Sequence, residues 1–376
     1  QTSPIGTLVN TYSFTSNYKI GFTNYQKHGY INFVIENFNM DYGIPPSQEG
    51  HISGVDITLV KNTVQVNSHF DIVLGRFKQL DIKYNFIDYE HKEFENNVDY
   101  YSVLLAKSTH NFKVEILSKM ISLGAELEYK DFIPAGFYWT PNTDETNLSF
   151  YGYINKNYKN YDLLGSFRIG HIIIDPKPNY ASYANLEVDE IIKRDFSYMS
   201  SSIGFEKKSN KWTYRGWLIQ TMRPPKIEEL YSDGPHLGTY AYEIGEPNLD
   251  LEKIYGIEGI VIYKSNPFNV SLTNFLNYSP YYYQMTKMGE CDEEMILGED
   301  GYPCSGPEYD FIEWGSGPGW LYMYDTKGVE ALIMGYEFNV NYTKYHFKID
   351  YDFSYVRGEN LSFDELNQIQ GSGRIG

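Results

Sequence analysis

The segment from Tyr336 to Val356, YEFNVNYTKYHFKIDYDFSYV, decides the fold of this 376-residue chain. Every second residue is apolar or aromatic, the residues between are polar or charged, and the pattern restarts after Thr343 and Lys344. Alternation with a period of two predicts two β-strands, each with one apolar and one polar face. The fold then depends on whether the apolar face meets a protein core or a lipid bilayer.

The same alternation recurs along most of the chain. Clear examples are residues 80–86, 112–116, 125–129, 161–169, 212–218 and 268–272. No segment of comparable length has the 3.6-residue period of an amphipathic helix, and the single helix-like phrase is PKIEELY, Pro225 to Tyr231. The sequence therefore predicts an all-β chain.

Short and long connections alternate between the predicted strands. The short ones are polar turns such as QKHG at 26–29 and KKSNK at 207–211. The long ones cover residues 44–53, 90–107, 134–146, 174–193, 224–253 and 280–328. This rhythm predicts an antiparallel up-and-down sheet of about fourteen strands, with tight turns at one rim and large loops at the other.

The length of the strands favours a membrane. Strands of soluble sandwiches usually have about five or six residues, whereas the pattern from Tyr345 to Tyr355 continues for eleven. At about 3.3 Å per residue and a tilt of about 45°, such a strand crosses the roughly 25 Å apolar band of an outer-membrane barrel. We therefore predict a large transmembrane β-barrel with lipid on its apolar face. The alternative, a soluble sandwich, solenoid or propeller, is disfavoured because no repeat of fixed period is present.

Composition excludes several functions. The chain has 31 Lys and Arg against 49 Asp and Glu, a net charge of −18, which argues against nucleic acid as a partner. Its 37 tyrosines suit a surface where apolar material meets water. No nucleophile elbow, phosphate loop or HExxH motif occurs. We therefore predict a protein that is not an enzyme and has no cofactor.

One long phrase carries a family resemblance. The stretch RPPKIEELYSDGPHLGTYAYEIGEPNLDLEK, Arg223 to Lys253, resembles the R-x-P-S-x-x-E-L-Y … G-x-P-x-L-x-P-E motif of TonB-dependent outer-membrane receptors. The matching residues are Arg223, Pro225, Glu229, Leu230, Tyr231, Gly245, Asn248, Leu249 and Glu252. The chain departs from the motif at Lys226, Glu246 and Leu251, where the family usually has a small polar residue, another residue before Pro247, and a second proline. Residues 16–46 also look like two consecutive strands of that family.

This resemblance implies an outer-membrane importer of which the chain is one part. Such receptors have about 22 strands around a plugged lumen, so residues 1–376 would be a partial barrel domain, with short periplasmic turns and long extracellular loops. The N-terminal plug domain, the energy-coupling box and the last strands would lie outside this chain. The implied partners are outer-membrane lipid, the TonB-ExbB-ExbD complex acting through the plug, and an extracellular small ligand: a metal, a metal chelate, a siderophore or haem.

Candidate ligand-binding residues lie in the long loops. His236, with Asp233 or Glu243, is a candidate for a transition metal, because imidazole and carboxylate are suitable ligands. His51 is a second candidate, and the alternative for His236 is a histidine that only shapes its loop. Exposed aromatic rings are candidates for stacking on haem or catechol rings, or they form the outer aromatic girdle. These rings are Tyr240, Tyr242, Tyr282, Trp314 and Trp320.

The two cysteines, Cys291 and Cys304, flank an acidic segment. A loop disulfide formed in an oxidising compartment is the favoured interpretation, and two free thiols or half of a metal site are the alternatives. The carboxylates between them lack EF-hand spacing, so a solvated loop is favoured over a calcium site.

Two other functions stay open at this point. A passive porin or secretion barrel would lack a plug, and the motif from Arg223 to Glu252 argues against it. A receptor-like scaffold of a larger surface complex has no distinguishing feature in the sequence.

Overall fold

A computed structural model describes residues 8–46, 54–95, 100–136, 140–178, 185–236, 241–288, 311–313 and 320–362. Almost all of these residues lie in β-strands of one sheet. The predicted all-β class is therefore confirmed.

The long strands follow the chain in order. They are β1 (Ser13–Gln26), β2 (Gly29–Ile44), β3 (Val55–Leu74), β4 (Phe77–Glu95), β5 (Val103–Leu117), β6 (Ile121–Gly136), β7 (Asn142–Asn157), β8 (Asp162–Lys177), β9 (Arg194–Ser209), β10 (Trp212–Arg223), β13 (Glu252–Ser265), β14 (Phe268–Lys287), β16 (Trp320–Lys344) and β17 (Phe347–Asn360). Shorter elements lie in the long connections. They are α1 (Ile227–Tyr231), β11 (Asp233–His236), β12 (Ala241–Ile244) and β15 (Phe311–Glu313).

Each long strand pairs antiparallel with the next long strand along the chain, from β1 to β17. The short strands β11 and β12 form a hairpin, and β12 also pairs parallel with the start of β16. The up-and-down topology follows from the connections, because two to four residues suffice to join antiparallel neighbours.

The predicted rhythm of connections is confirmed, and the strands are longer than the sequence pattern indicated. β6 and β7 extend so far that the connection predicted at 134–146 narrows to residues 137–141, and β4 and β5 shorten the one predicted at 90–107 in the same way. The cause is that strand pairing satisfies backbone N–H and C=O groups beyond the point where side chains stop alternating.

The apolar face of the sheet has no protein layer over it among the described residues. Leu218, Ile257 and Phe150 lie on inner strands of the sheet, yet their exposed fractions are 57%, 53% and 50%. The one α-helix there, α1, has five residues and lies at the end with long loops. An apolar face that no described residue covers agrees with the predicted contact with lipid.

The opposite, polar face carries ion pairs that bridge several strands. Arg168 of β8 donates hydrogen bonds to Glu126 of β6 at 3.0 Å and to Ser149 of β7 at 3.0 Å. Its guanidinium and the ammonium of Lys113 both lie over the ring of Tyr151. Such a face suits a water-filled or plugged lumen.

No helix in the described part of the chain is both long and apolar enough to cross a membrane.

Candidate ligand-binding rim

The buried core of the described chain lies at one end of the sheet. We call this end the long-loop rim: residues 185–193 and 224–251, with the adjoining ends of β8, β9, β14 and β16. The core cluster contains Leu230, Tyr231 and Leu249, each with no exposed surface. Their partners are Ile172, Ile174, Leu186, Ile191, Phe196, Ile227, Tyr242, Ile244 and Tyr283.

Arg223, the first residue of the family motif, connects several parts of the long-loop rim. Arg223, the last residue of β10, donates two hydrogen bonds to the Glu229 carboxylate, at 2.8 and 2.9 Å, and one to Glu252 at 2.7 Å. Its guanidinium also lies 4.5 Å from the centre of the Tyr283 ring. A bidentate arginine–carboxylate pair fixes both distance and orientation. Arg223 therefore holds the start and the end of the 224–251 connection against the sheet.

The same motif forms the helix that follows. Glu229 accepts a hydrogen bond from the backbone N–H of Lys226 at 2.7 Å, which satisfies one backbone donor at the start of α1. The next two residues, Leu230 and Tyr231, then point into the core. Gly245 packs directly on this turn, since a Cβ there would lie 2.4 Å from the carbonyl carbon of Leu230.

Asp233 is the anchor between the two loops of the rim. One carboxylate oxygen accepts hydrogen bonds from the backbone N–H groups of Asn185 and Leu186 at 2.7 and 2.9 Å. The other accepts from the Asn185 side chain at 2.8 Å and from the Tyr242 hydroxyl at 3.0 Å. Burial, with Asp233 beside it, raises the pKa of the Tyr242 hydroxyl, so this tyrosine stays neutral and donates.

Arg194 fastens the rim from the other side. It donates hydrogen bonds to the backbone carbonyls of Pro247 and Leu249, and the Tyr231 hydroxyl donates to the carbonyl of Ile192 at 2.6 Å. Sequence reasoning missed Arg194 and Asn185, because their partners are some fifty residues away in the chain. No local pattern marks such contacts.

The predicted site residues fall into three groups. Asp233 and Tyr242 are brought together, and both are buried in the network just described. Tyr282 lies half-buried on β14, opposite Val329 of β16. His236 ends β11 and Trp320 begins β16, but their side chains lie outside the described structure. The remaining predicted residues, His51, Tyr240, Trp314, Cys291 and Cys304, lie outside the described residues altogether.

The metal and disulfide predictions therefore stay predictions. Within the described ranges, no group of three or more His, Cys, Asp and Glu side chains is placed to hold a metal ion. Both Asp233 oxygens already accept two hydrogen bonds each, so its visible role is to anchor the loop at Asn185.

A polar recess of about 410 Å³ lies beside the rim. Its lining includes Glu246 and Asn248 from the motif segment, Tyr281 of β14 and Lys327 of β16. Carboxylate, amide, phenol and ammonium groups meet there, so the recess offers both hydrogen-bond donors and acceptors to a polar molecule.

Comparison with solved structures identifies the fold. The copper transporter OprC is similar with a TM-score of 0.71 and 13% identity over 96% of this chain and 55% of that protein. The FrpB iron transporter from Neisseria meningitidis is similar with a TM-score of 0.64 and 11% identity over 94% of this chain and 54% of that protein. A third similar structure is the hemophore receptor HasR from Serratia marcescens, solved in complex with its hemophore HasA and heme. Its TM-score is 0.63, with 11% identity over 93% of this chain and 54% of that protein. The chain thus spans about half the length of these proteins.

No family model and no curated protein matches the sequence. The solved proteins named above are TonB-dependent outer-membrane receptors, which are transporters and receptors. The predicted outer-membrane location agrees with the fold that they share with this chain. The chain has the fold of the β-barrel of TonB-dependent outer-membrane receptors, as the motif from Arg223 to Glu252 predicted.

Proposed function

We propose that this chain is part of the barrel of a TonB-dependent receptor that imports a scarce extracellular ligand, a metal, metal chelate, siderophore or haem. The observation that carries the proposal is the long-loop rim, where the Arg223 motif ties a folded connection to the barrel wall. The matched structures include a copper transporter, an iron transporter and a hemophore receptor, which supports this ligand class.

The geometry supports a division of work within such a receptor. The buried core holds the described ends of the long loops in place. Binding residues carried by such loops are therefore positioned by a packed scaffold. The polar face, with its Arg168–Glu126 bridge, is suited to contact water, a plug domain and a passing polar ligand. Energy would come from TonB, acting through a plug, and the receptor itself would make or break no covalent bond.

Uptake measurements with the full-length gene test the proposal. Cells that depend on this protein would be supplied in turn with iron–siderophore complexes, haem, copper and zinc as radiolabelled or isotopically enriched forms. We expect saturable uptake of one of them that stops when the proton-motive force is collapsed or TonB is deleted. Uptake that continues unchanged would contradict the proposal and favour the passive barrel, which would also give a large open conductance in planar bilayers.

His236 is the sharpest residue test of the ligand class. If it binds a metal, His236→Ala should weaken metal binding more than tenfold in a calorimetric titration, since one imidazole ligand is lost. His346→Ala at the other end of the sheet is the matched control and should leave the titration unchanged. An unaltered titration of His236→Ala would remove the metal hypothesis but leave the transporter proposal standing.

A further inference from the structure

The short turns have a charge that is opposite to that of the chain as a whole. Seven of them join consecutive long strands: β1–β2, β3–β4, β5–β6, β7–β8, β9–β10, β13–β14 and β16–β17. Taken with two residues on either side, the seven turns contain eleven of the chain's 31 Lys and Arg but one of its 49 Asp and Glu, Asp162. The cations are Lys27, Arg76, Lys78, Lys119, Lys156, Lys159, Lys208, Lys211, Lys264, Lys344 and Lys348.

Aromatic rings lie immediately beside these cations. Trp212 contacts Tyr263 with ring centres 4.8 Å apart, Phe268 contacts Tyr342 at 5.0 Å, and Tyr158 stacks on Tyr161 at 4.8 Å. Tyrosine and tryptophan favour the level of the lipid head groups, where one part of the ring is dry and the other wet. The cations of the turns therefore lie at or just beyond the head groups of the leaflet next to them.

One recess at the short-turn rim is lined by both lysine and aromatic side chains. It has a volume of about 640 Å³ at the β7–β8 turn and is lined by Tyr158, Lys159, Asn160, Tyr161, Phe205 and Lys207. Phe205 pairs with Leu163 and Lys207 with Tyr214, so both lie on the apolar, lipid-facing side of the sheet. Phe205 and Tyr161 are 48% and 45% exposed. The recess thus has an apolar wall at membrane depth and two ammonium groups at its polar edge.

Some cations near the short turns are paired with a carboxylate, and these two lysines are not. Lys208 is bound to Glu206 at 2.6 Å and Lys348 to Asp350 at 2.8 Å. Across the described residues, no carboxylate lies within ion-pair distance of Lys159 or Lys207, and the one acid of the turn, Asp162, accepts a hydrogen bond from Asn157. A pair of cations without a protein counter-charge, above an apolar wall, fits a phosphodiester with acyl chains attached.

We propose that the short-turn rim binds anionic phospholipid, with the recess between Lys159 and Lys207 as its main head-group site. The phosphate lies between the two ammonium groups, Tyr158 and Tyr161 lie at the glycerol level, and an acyl chain runs along Phe205. The site needs the apolar face to lie in a bilayer. It does not depend on what the receptor imports, so its failure and the failure of the proposed function are separate results.

Vesicle reconstitution of the full-length protein tests the site. The protein would be placed in phosphatidylethanolamine bilayers with increasing phosphatidylglycerol, and bound phosphatidylglycerol would be counted by native mass spectrometry after extraction. We expect saturable retention of phosphatidylglycerol over phosphatidylethanolamine. The double substitution Lys159→Gln with Lys207→Gln should lower the apparent affinity about tenfold, because each lysine near a surface adds to anionic lipid binding.

Two further variants keep the test specific. Lys177→Gln with Lys193→Gln removes the same charge at the long-loop rim and should leave retention unchanged. Lys159→Arg with Lys207→Arg keeps the charge and should bind like the parent. Heat-dependent gel mobility reports whether each variant is folded. Equal losses in both Gln pairs, no loss in either, or equal retention of the two lipids by the parent would each overturn the proposal.

Discussion

The two ends of this sheet are built on different physical principles. At the long-loop rim, loops fold over the strand ends and bury Leu230, Tyr231 and Leu249 completely. At the short-turn rim, Tyr345 and Phe347 are 89% and 73% exposed. One end is packed like a small globular domain, and the other leaves aromatic side chains uncovered.

This difference in burial between the two rims shows which parts of a single-layer sheet can be stabilised by a protein core. A strand residue that faces lipid or water gains little from contacts within the protein, so the middle of the sheet depends on its backbone pairing and its solvent. A protein core forms only where connections are long enough to cover the sheet. Substitutions of the same type should therefore have large effects at the long-loop rim and small ones at the short-turn rim.

The largest difference is expected for charge removal. Arg223→Ala leaves the Glu252 carboxylate, 7% exposed, without its cation. Removing one partner of a fully buried pair costs about 3–5 kcal/mol, and this is an upper bound here because Arg223 itself is 35% exposed. Hydrogen exchange and limited proteolysis of the 224–251 connection should reveal local opening. Lys348→Ala breaks the exposed pair with Asp350 at the short-turn rim. It should change neither the hydrogen exchange nor the proteolysis of the 224–251 connection. Equal protection in both variants would contradict the comparison.

Apolar truncation should follow the same division. Leu230→Ala empties a fully buried position, for which about 2–5 kcal/mol is expected. Leu218→Ala, on the uncovered apolar face and 57% exposed, should cost less, about 2 kcal/mol or below, because lipid can fill the space and only the transfer free energy of the deleted carbons is lost. Urea unfolding in the same vesicles measures both. A larger loss for Leu218→Ala would mean that protein, not lipid, covers that face.

The anchor at Asp233 gives a smaller and more local effect. Asp233→Asn keeps the shape but replaces one acceptor oxygen by a donor, which opposes hydrogen bonds from Asn185, Leu186 or Tyr242. A lost buried hydrogen bond of this kind costs about 1–3 kcal/mol. Faster exchange of the Leu186 amide is the expected signal, while Asp350→Asn serves as the exposed control. Unchanged exchange at Leu186 would show that the carboxylate charge is not needed.

The smallest effect concerns alkaline pH. Burial raises the pKa of Tyr231 to about 12 from its ordinary value of 10.0. The folded rim therefore keeps the proton longer than the unfolded chain. This contribution to stability is complete below pH ~10 and is lost as the pH rises toward ~12. Tyr231→Phe should lower the stability of the rim at neutral pH, because the hydrogen bond to the Ile192 carbonyl is lost. It should also remove the loss of stability between pH ~10 and ~12, because phenylalanine has no proton to lose. A proteolysis profile against pH that has the same slope in both proteins would contradict this.

The sequence by itself determined the architecture. Alternation with period two sets which side chains share a face whatever the partner strand is, and the length of the alternating segments indicated a bilayer. Strand order followed from the short turns, since a turn of two to four residues leaves an antiparallel neighbour as the one geometric choice. The motif from Arg223 to Glu252 also marked the rim in advance, because it resembles a family pattern as a whole, and Arg223 contacts both Glu229 and Glu252 within it.

Only the tertiary structure decided which loop residues are buried and what they contact. Tyr242 was predicted to contact ligand, yet it is 2% exposed and donates to Asp233. Asp233 was predicted as a metal ligand, and its visible contacts join it to Asn185 and Leu186. In a loop no periodicity links residue type to direction, and Asn185 and Leu186 lie some fifty positions away from Asp233. Which side chains become buried there depends on how separate loops pack together, and a linear pattern does not encode that packing.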